Sequence, residues 1–203
     1  MDPELEQLFA QHCAPTFAGL KAASLVSSPR AQREQLAGQL GRYNRAFRRQ
    51  GLRFRLIPTR RACDLLLVYR PDMLERLLAH PEVRRLLAAR GYPVDAPPER
   101  QLEHLCRQLA VREEFPHEVG VFLGYPLEDV LGFVEHQGRE CKCAGPWKVY
   151  SDVDRAQALF RRYGQCREAV CRRVAEGTSL VRLFGGAEPQ PVEWNNRVGG
   201  NGQ

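Results

Sequence analysis

Three short stretches of this 203-residue chain carry side chains able to do chemistry. In the first, His12-Cys13-Ala14-Pro15-Thr16, a thiol stands beside an imidazole. A cysteine becomes a nucleophile or a metal ligand only as its thiolate, which a neighbouring base or cation favours. The usual partner of a catalytic cysteine is a histidine distant in sequence, and His117 in the second stretch, Phe115 to Pro126, is available. Glu118 follows it as a carboxylate that could orient the ring, with His12 as a further candidate. Around this Cys13, His117, Glu118 set, the hydroxyls of Thr16 and Tyr125 and the ammonium of Lys148 are candidates for holding a substrate. The ordinary alternative is a small buried Cys13, a His117 bonded to nearby backbone and a solvated Glu118.

The third stretch, Cys141-Lys142-Cys143-Ala144-Gly145-Pro146-Trp147, places two thiols in a loop. With Cys166 they are candidate ligands for zinc or iron, or a redox pair; incidental thiols are the plain alternative. Cys171 adds little to a metal site, because five residues along a helix rotate a side chain roughly 140° from Cys166. The Gly124-Tyr125-Pro126 turn is followed by Glu128 and Asp129. Those carboxylates complement a helix N-terminus and repel an incoming phosphate, which argues against a nucleotide site there.

Lys and Arg number 30 against 24 Asp and Glu, a net charge of +6. Only Lys21, Lys142 and Lys148 are lysines, which leaves 30 − 3 = 27 arginines. Arg42, Arg45, Arg48, Arg49, Arg53, Arg55, Arg60 and Arg61 gather in one region and could form a basic face for an acidic partner. No nucleic-acid motif and no interleaved exposed aromatics accompany them, so a nucleic-acid partner is not expected.

Positioning these groups falls to a series of short elements. Residues 3–11 read as a helix, and Pro15 is expected to prevent its continuation. Leu36, Leu40, Tyr43 and Phe47 form one stripe of a helix over 30–49. Leu52 to Thr59 alternates, and Cys63 to Arg70 is continuously apolar at its centre, so the two predict a hairpin whose second strand is covered on both faces. Helices follow at 71–90, broken at Pro81, and at 99–110. Val119 to Gly124 is expected to be a strand and 127–137 a helix. A short strand at Trp147–Tyr150 comes next, then a helix at 153–163 capped by Asp152 and ended by Gly164, and a last one at 165–176. This order predicts an α/β fold, with α+β the neighbouring class: a small mixed sheet, an early β-hairpin and helices packed on it. One globular domain is expected over 1–184 and a disordered glycine-, proline- and asparagine-rich tail over 185–203.

No run of about 20 apolar residues suggests a membrane span. The N-terminus lacks the basic and apolar regions of a secretory signal, and the seven cysteines are an odd number, so a reducing cytoplasmic setting is expected.

Taken together, the stretches His12 to Leu25, Phe115 to Gly138 and Cys141 to Tyr150, followed by Leu159, Phe160, Tyr163 and Cys166, resemble a bacterial family called domain of unknown function 3793. The resemblance runs from about His12 to Gly177. Its pattern falls on His12, Cys13, Pro15 and Thr16, on Pro116, His117, Glu118, Gly124, Tyr125 and Pro126, and on Cys143, Trp147, Lys148, Tyr150 and Cys166. It implies occurrence in anaerobic bacteria, and a setting in redox or iron metabolism, without an assigned activity. The leading expectation is a thiol-dependent site that binds or acts on a small molecule. Non-enzymatic binding of a metal or cofactor through the Cys-x-Cys loop, and an adaptor using the arginine face, are the alternatives. Oligomeric state is not legible.

Overall fold

The computed structural model describes residues 2–185. In chain order the elements are α1 (Pro3–Phe17), β1 (Ala23–Pro29), α2 (Arg33–Ala46), β2 (Arg53–Ile57), β3 (Cys63–Tyr69), α3 (Pro71–Leu78), α4 (Pro81–Ala89) and α5 (Pro98–Val111). Then come α6 (Val119–Phe122), α7 (Leu127–Glu135), β4 (Cys143–Ala144), β5 (Lys148–Val149), α8 (Val153–Ala175) and α9 (Leu180–Phe184). The expected tail starts where the description ends, and positions 186–203 lie outside the described residues.

The apolar run Leu65-Leu66-Leu67-Val68 decides the architecture. It makes β3 the central strand of a sheet ordered β1-β3-β2, with both neighbours antiparallel. Alternate side chains of a strand point to opposite faces. Leu65 and Leu67 therefore enter one core with Leu74, Leu78, Leu102, Leu105 and Phe122 from the helices α3 to α6. Leu66 and Val68 enter another with Phe9, Phe17, Tyr43 and Phe47 from α1 and α2, and with Val170 from α8. Each buried leucine contributes roughly 1.5–3 kcal/mol. The result is a sheet with a helical layer on each side. Asp64, fully buried on β3, is held by a bidentate ion pair with Arg33 of α2 at 2.6 and 2.8 Å.

The α/β class, the small sheet and the early hairpin β2–β3 stand, as do the break at Pro81 and the cap at Asp152. Every strand pair is antiparallel, so the sheet is not mixed in direction.

Three local expectations are corrected. First, α1 runs through Pro15 to Phe17. An interior proline costs about 3 kcal/mol, but the last turn buries Cys13, Ala14, Thr16 and Phe17. The Arg70 guanidinium also bonds the carbonyls of Thr16 (2.7 Å) and Phe17 (2.6 Å). Second, residues 119–122 are a helical turn. Val121, Phe122 and Leu123 all enter the core, and so short an apolar run has no periodicity that separates strand from helix. Third, α8 is continuous across Gly164. A glycine in a helix costs about 1 kcal/mol, less than the packing of Tyr163 on one side of it and Val170 on the other.

Candidate functional site

Segments more than a hundred residues apart meet at Tyr125. Gly124 makes this possible: its φ of +76° suits glycine, and a Cβ there would already lie 3.5 Å from Ala22. The turn thus lies directly on the segment that follows α1. The Lys21 ammonium stands 5.2 Å from the centre of the Tyr125 ring, a cation–π distance. On its other flank Tyr125 stacks on Trp147, with centroids 5.0 Å apart and planes 26° apart, and its hydroxyl donates to the Pro146 carbonyl at 3.2 Å. The Tyr163 hydroxyl of α8 donates to the Leu20 carbonyl at 3.3 Å. Cys143 packs against this same aromatic cluster.

Asp129 fixes the hairpin β4–β5 to α7. It is buried, and its carboxylate accepts from Trp147 Nε1 (2.8 Å), Tyr150 N (2.8 Å), Ser151 N (2.9 Å) and Ser151 Oγ (2.8 Å). Burial alone would raise its pKa, but these donors outweigh burial and hold the carboxyl below its ordinary range. Close approach completes the joint: a Cβ on Gly132 would lie 2.5 Å from Tyr150. Asp129 is therefore a structural hub, a role that helix-dipole complementarity did not suggest.

The thiol–imidazole constellation expected from the sequence is not assembled. Adjacent residues on a helix diverge by about 100°, so His12 faces out while Cys13 is fully buried in the aromatic core. Burial pushes the Cys13 thiol up to about 12, with the Lys21 charge and the Ser24 hydroxyl opposing. It is a neutral core thiol, not an exposed thiolate. His117 is exposed and rests on Phe133, with ring centroids 5.2 Å apart. Glu118 does not orient it. That side chain turns inward, is 4% exposed, and accepts from the Tyr92 hydroxyl at 3.1 Å. Thr16 is also buried, its hydroxyl 2.8 Å from that of Ser24, tying α1 to β1.

Lys148 and His117 each lie against the Phe133 ring. The Lys148 Nζ lies 6.0 Å from the Phe133 centroid and donates to the Gly138 carbonyl at 2.5 Å. Cys141, Cys143 and Cys166 are all half-exposed; Cys166, on α8, packs against the core that α1, α2 and α8 share. Among the described residues no three His, Cys, Asp or Glu side chains converge as metal ligands would, so Cys141, Cys143 and Cys166 are not brought together.

The arginine set is divided too. Arg61 is pinned on the carbonyls of Arg112, Glu113 and Glu114 and over the Phe115 ring. Arg42, Arg45, Arg48 and Arg49 remain exposed on or just beyond α2.

Sequence reasoning passed over Lys21. Burial draws its pKa down to about 8, with Cys13 acting the other way, and no carboxylate among the described residues pairs with it. One signal was present: in a chain with 27 arginines to 3 lysines, each lysine is a place where the compact ammonium was used instead of the guanidinium fork.

The fold and the junction define an α/β domain whose separate sequence motifs close on a lysine–aromatic cluster. The chain belongs to the family described as Protein of unknown function (DUF3793), whose profile matches residues 9–184. No curated protein and no solved structure matches it.

Proposed function

We propose that the protein binds a small anionic molecule where the α1–β1 connection, the Gly124–Pro126 turn and the β4–β5 hairpin meet. Lys21 would be the charge partner and the half-exposed Cys143 thiol the reactive group at the margin. One observation carries this reading: a half-buried ammonium, with no carboxylate partner among the described residues, stands over Tyr125 where these segments meet. A buried charge is costly unless paired, and an incoming carboxylate or phosphate would pair it. Tyr125 and Trp147 supply a flat apolar wall beside it. This reading carries the small-molecule, thiol-dependent expectation forward as a proposal, with its centre at Lys21 and Cys143 in place of Cys13 and His117.

The test is amine acylation with acetic anhydride across pH 6–11, mapped by peptide mass, with and without inorganic phosphate or citrate. Lys21 is expected to react with a midpoint near pH 8 and to be protected by at least one of the anions. Lys21→Met should abolish the rise in thermal midpoint that this anion gives. Lys21 acylation that neither anion slows, together with equal midpoints in wild type and variant, refutes the proposal.

A further inference from the structure

The hairpin before α8 carries a second feature, which shares Cys143 with the site proposed above but does not depend on a bound anion. Two residues in fully extended chain span about 6.6–7.2 Å. A disulfide requires Cα atoms no more than about 6.8 Å apart. A straight strand would therefore hold Cys141 and Cys143 at the limit of bridging, though with both side chains on one face. The chain here is not straight. It bends at Glu140 and again at Lys142, the one residue between the two cysteines. Glu140 has a φ of +55°, and Gln137 just before has +51°, left-handed conformations that non-glycine residues rarely take. Such conformations persist only where surrounding structure imposes them.

That surrounding structure is visible. The Lys142 N–H donates to the Val149 carbonyl at 2.8 Å, and its Nζ to the Ser151 carbonyl at 2.9 Å. Asp129 clamps Tyr150 and Ser151 from beneath. The central residue of the Cys-x-Cys unit is thus fixed, while β4 spans only Cys143 and Ala144. Both thiols are free and half-exposed, unlike the fully buried Cys13. Burial and then the neighbouring Cys141 raise the Tyr150 phenol, whose hydroxyl is buried without a partner among the described residues.

We propose that Cys141 and Cys143 are a redox dithiol that exchanges with low-molecular-weight disulfides. One thiol loses its proton and attacks a sulfur of R–S–S–R; the S–S bond breaks, and the leaving thiolate takes up a proton as RSH. The second thiol loses its proton and attacks the resulting protein mixed disulfide, releasing a second RSH. The two protein thiols are oxidised by two electrons to one intramolecular disulfide, and R–S–S–R is reduced to two RSH. In this proposal the bend at Lys142 brings the two thiols within reach for ring closure.

The full chain is equilibrated in mixtures of reduced and oxidised glutathione, quenched by alkylation, and mapped by peptide mass. A synthetic peptide covering residues 139–149 is run alongside. The expected result is an intramolecular Cys141–Cys143 disulfide in the protein, half-formed under conditions more reducing than the peptide needs. The equilibrium constant should differ by about tenfold, equivalent to about 30 mV. Cys141→Ser should trap glutathione on Cys143, and Cys143→Ser should trap it on Cys141. Two alkylated thiols in mixtures that oxidise the peptide, or separate glutathione adducts on both cysteines of the wild type, overturn the proposal. So does an equilibrium constant no larger in the protein than in the peptide.

Discussion

Replacing Asp129 by alanine tests the view that one carboxylate builds the junction. The substitution removes the acceptor of four hydrogen bonds and opens a small space between α7 and the hairpin. Hydrogen bonds to a charged group contribute about 1.5–3 kcal/mol each, but a simple sum overstates the loss. Tyr150 and Ser151 are half-buried, so water reaches part of what they lose. The Trp147 indole N–H, on a side chain 7% exposed, and one backbone N–H remain as orphans. At about 1–3 kcal/mol per buried unsatisfied donor, a total near 4 kcal/mol follows. That is a large part of the roughly 5–15 kcal/mol that holds an ordinary domain folded.

Asp129→Asn keeps the shape and one acceptor oxygen but turns an amide donor toward other donors, so about 2 kcal/mol is expected. Because the folded carboxyl titrates below its ordinary range, its contribution is complete at neutral pH. It is lost as pH falls through the folded pKa. The asparagine variant should therefore show a flatter loss of stability on the acid side than wild type. Urea unfolding followed by tryptophan emission measures all three. The chain has two tryptophans, and Trp194 lies outside the described residues, so Trp194→Phe leaves Trp147 as the reporter. A loss below about 1 kcal/mol for the alanine variant, with native Trp147 emission unchanged, would refute the reasoning.

Two further predictions concern buried titrating groups. Cys13 should react with iodoacetamide only through opening of the core; an opening that costs about 3 kcal/mol makes it at least about a hundredfold slower than Cys143. Labelling of Cys13 as fast as Cys143 in native buffer would contradict its burial. Glu6 is buried, accepts from the Leu180 N–H at 3.2 Å, and leaves its other oxygen without a partner among the described residues. Burial raises its pKa, so the folded chain holds that proton more tightly than the unfolded chain. Stability should fall as pH rises through the folded pKa, and Glu6→Gln should remove this slope in urea titrations.

The sequence by itself determined the elements whose pattern is long or punctuated. The continuous run Leu65–Val68, following the alternating run at 52–57, suited a strand covered twice. The spacing of Leu36, Leu40 and Tyr43 could only be a helix face. Pro81 and Asp152 mark boundaries with local causes. Local rules failed where a small local cost met a larger tertiary gain, as at Pro15 and Gly164, and where the run at 119–122 was too short to show a period. The site is the clearest case. The motifs at 12–25, 115–138 and 141–150 were legible as stretches that bear chemistry, and the fold does bring them together. Which side chains face the meeting point was not legible, because it depends on helix phase and on contacts more than a hundred residues away in the chain. Helix phase buries Cys13 and exposes His12. The turn into α6 sends Glu118 to Tyr92 and leaves His117 on Phe133. Only the packing of Gly124 on Ala22 sets Lys21 over Tyr125, so the tertiary structure alone made that lysine the centre of the junction.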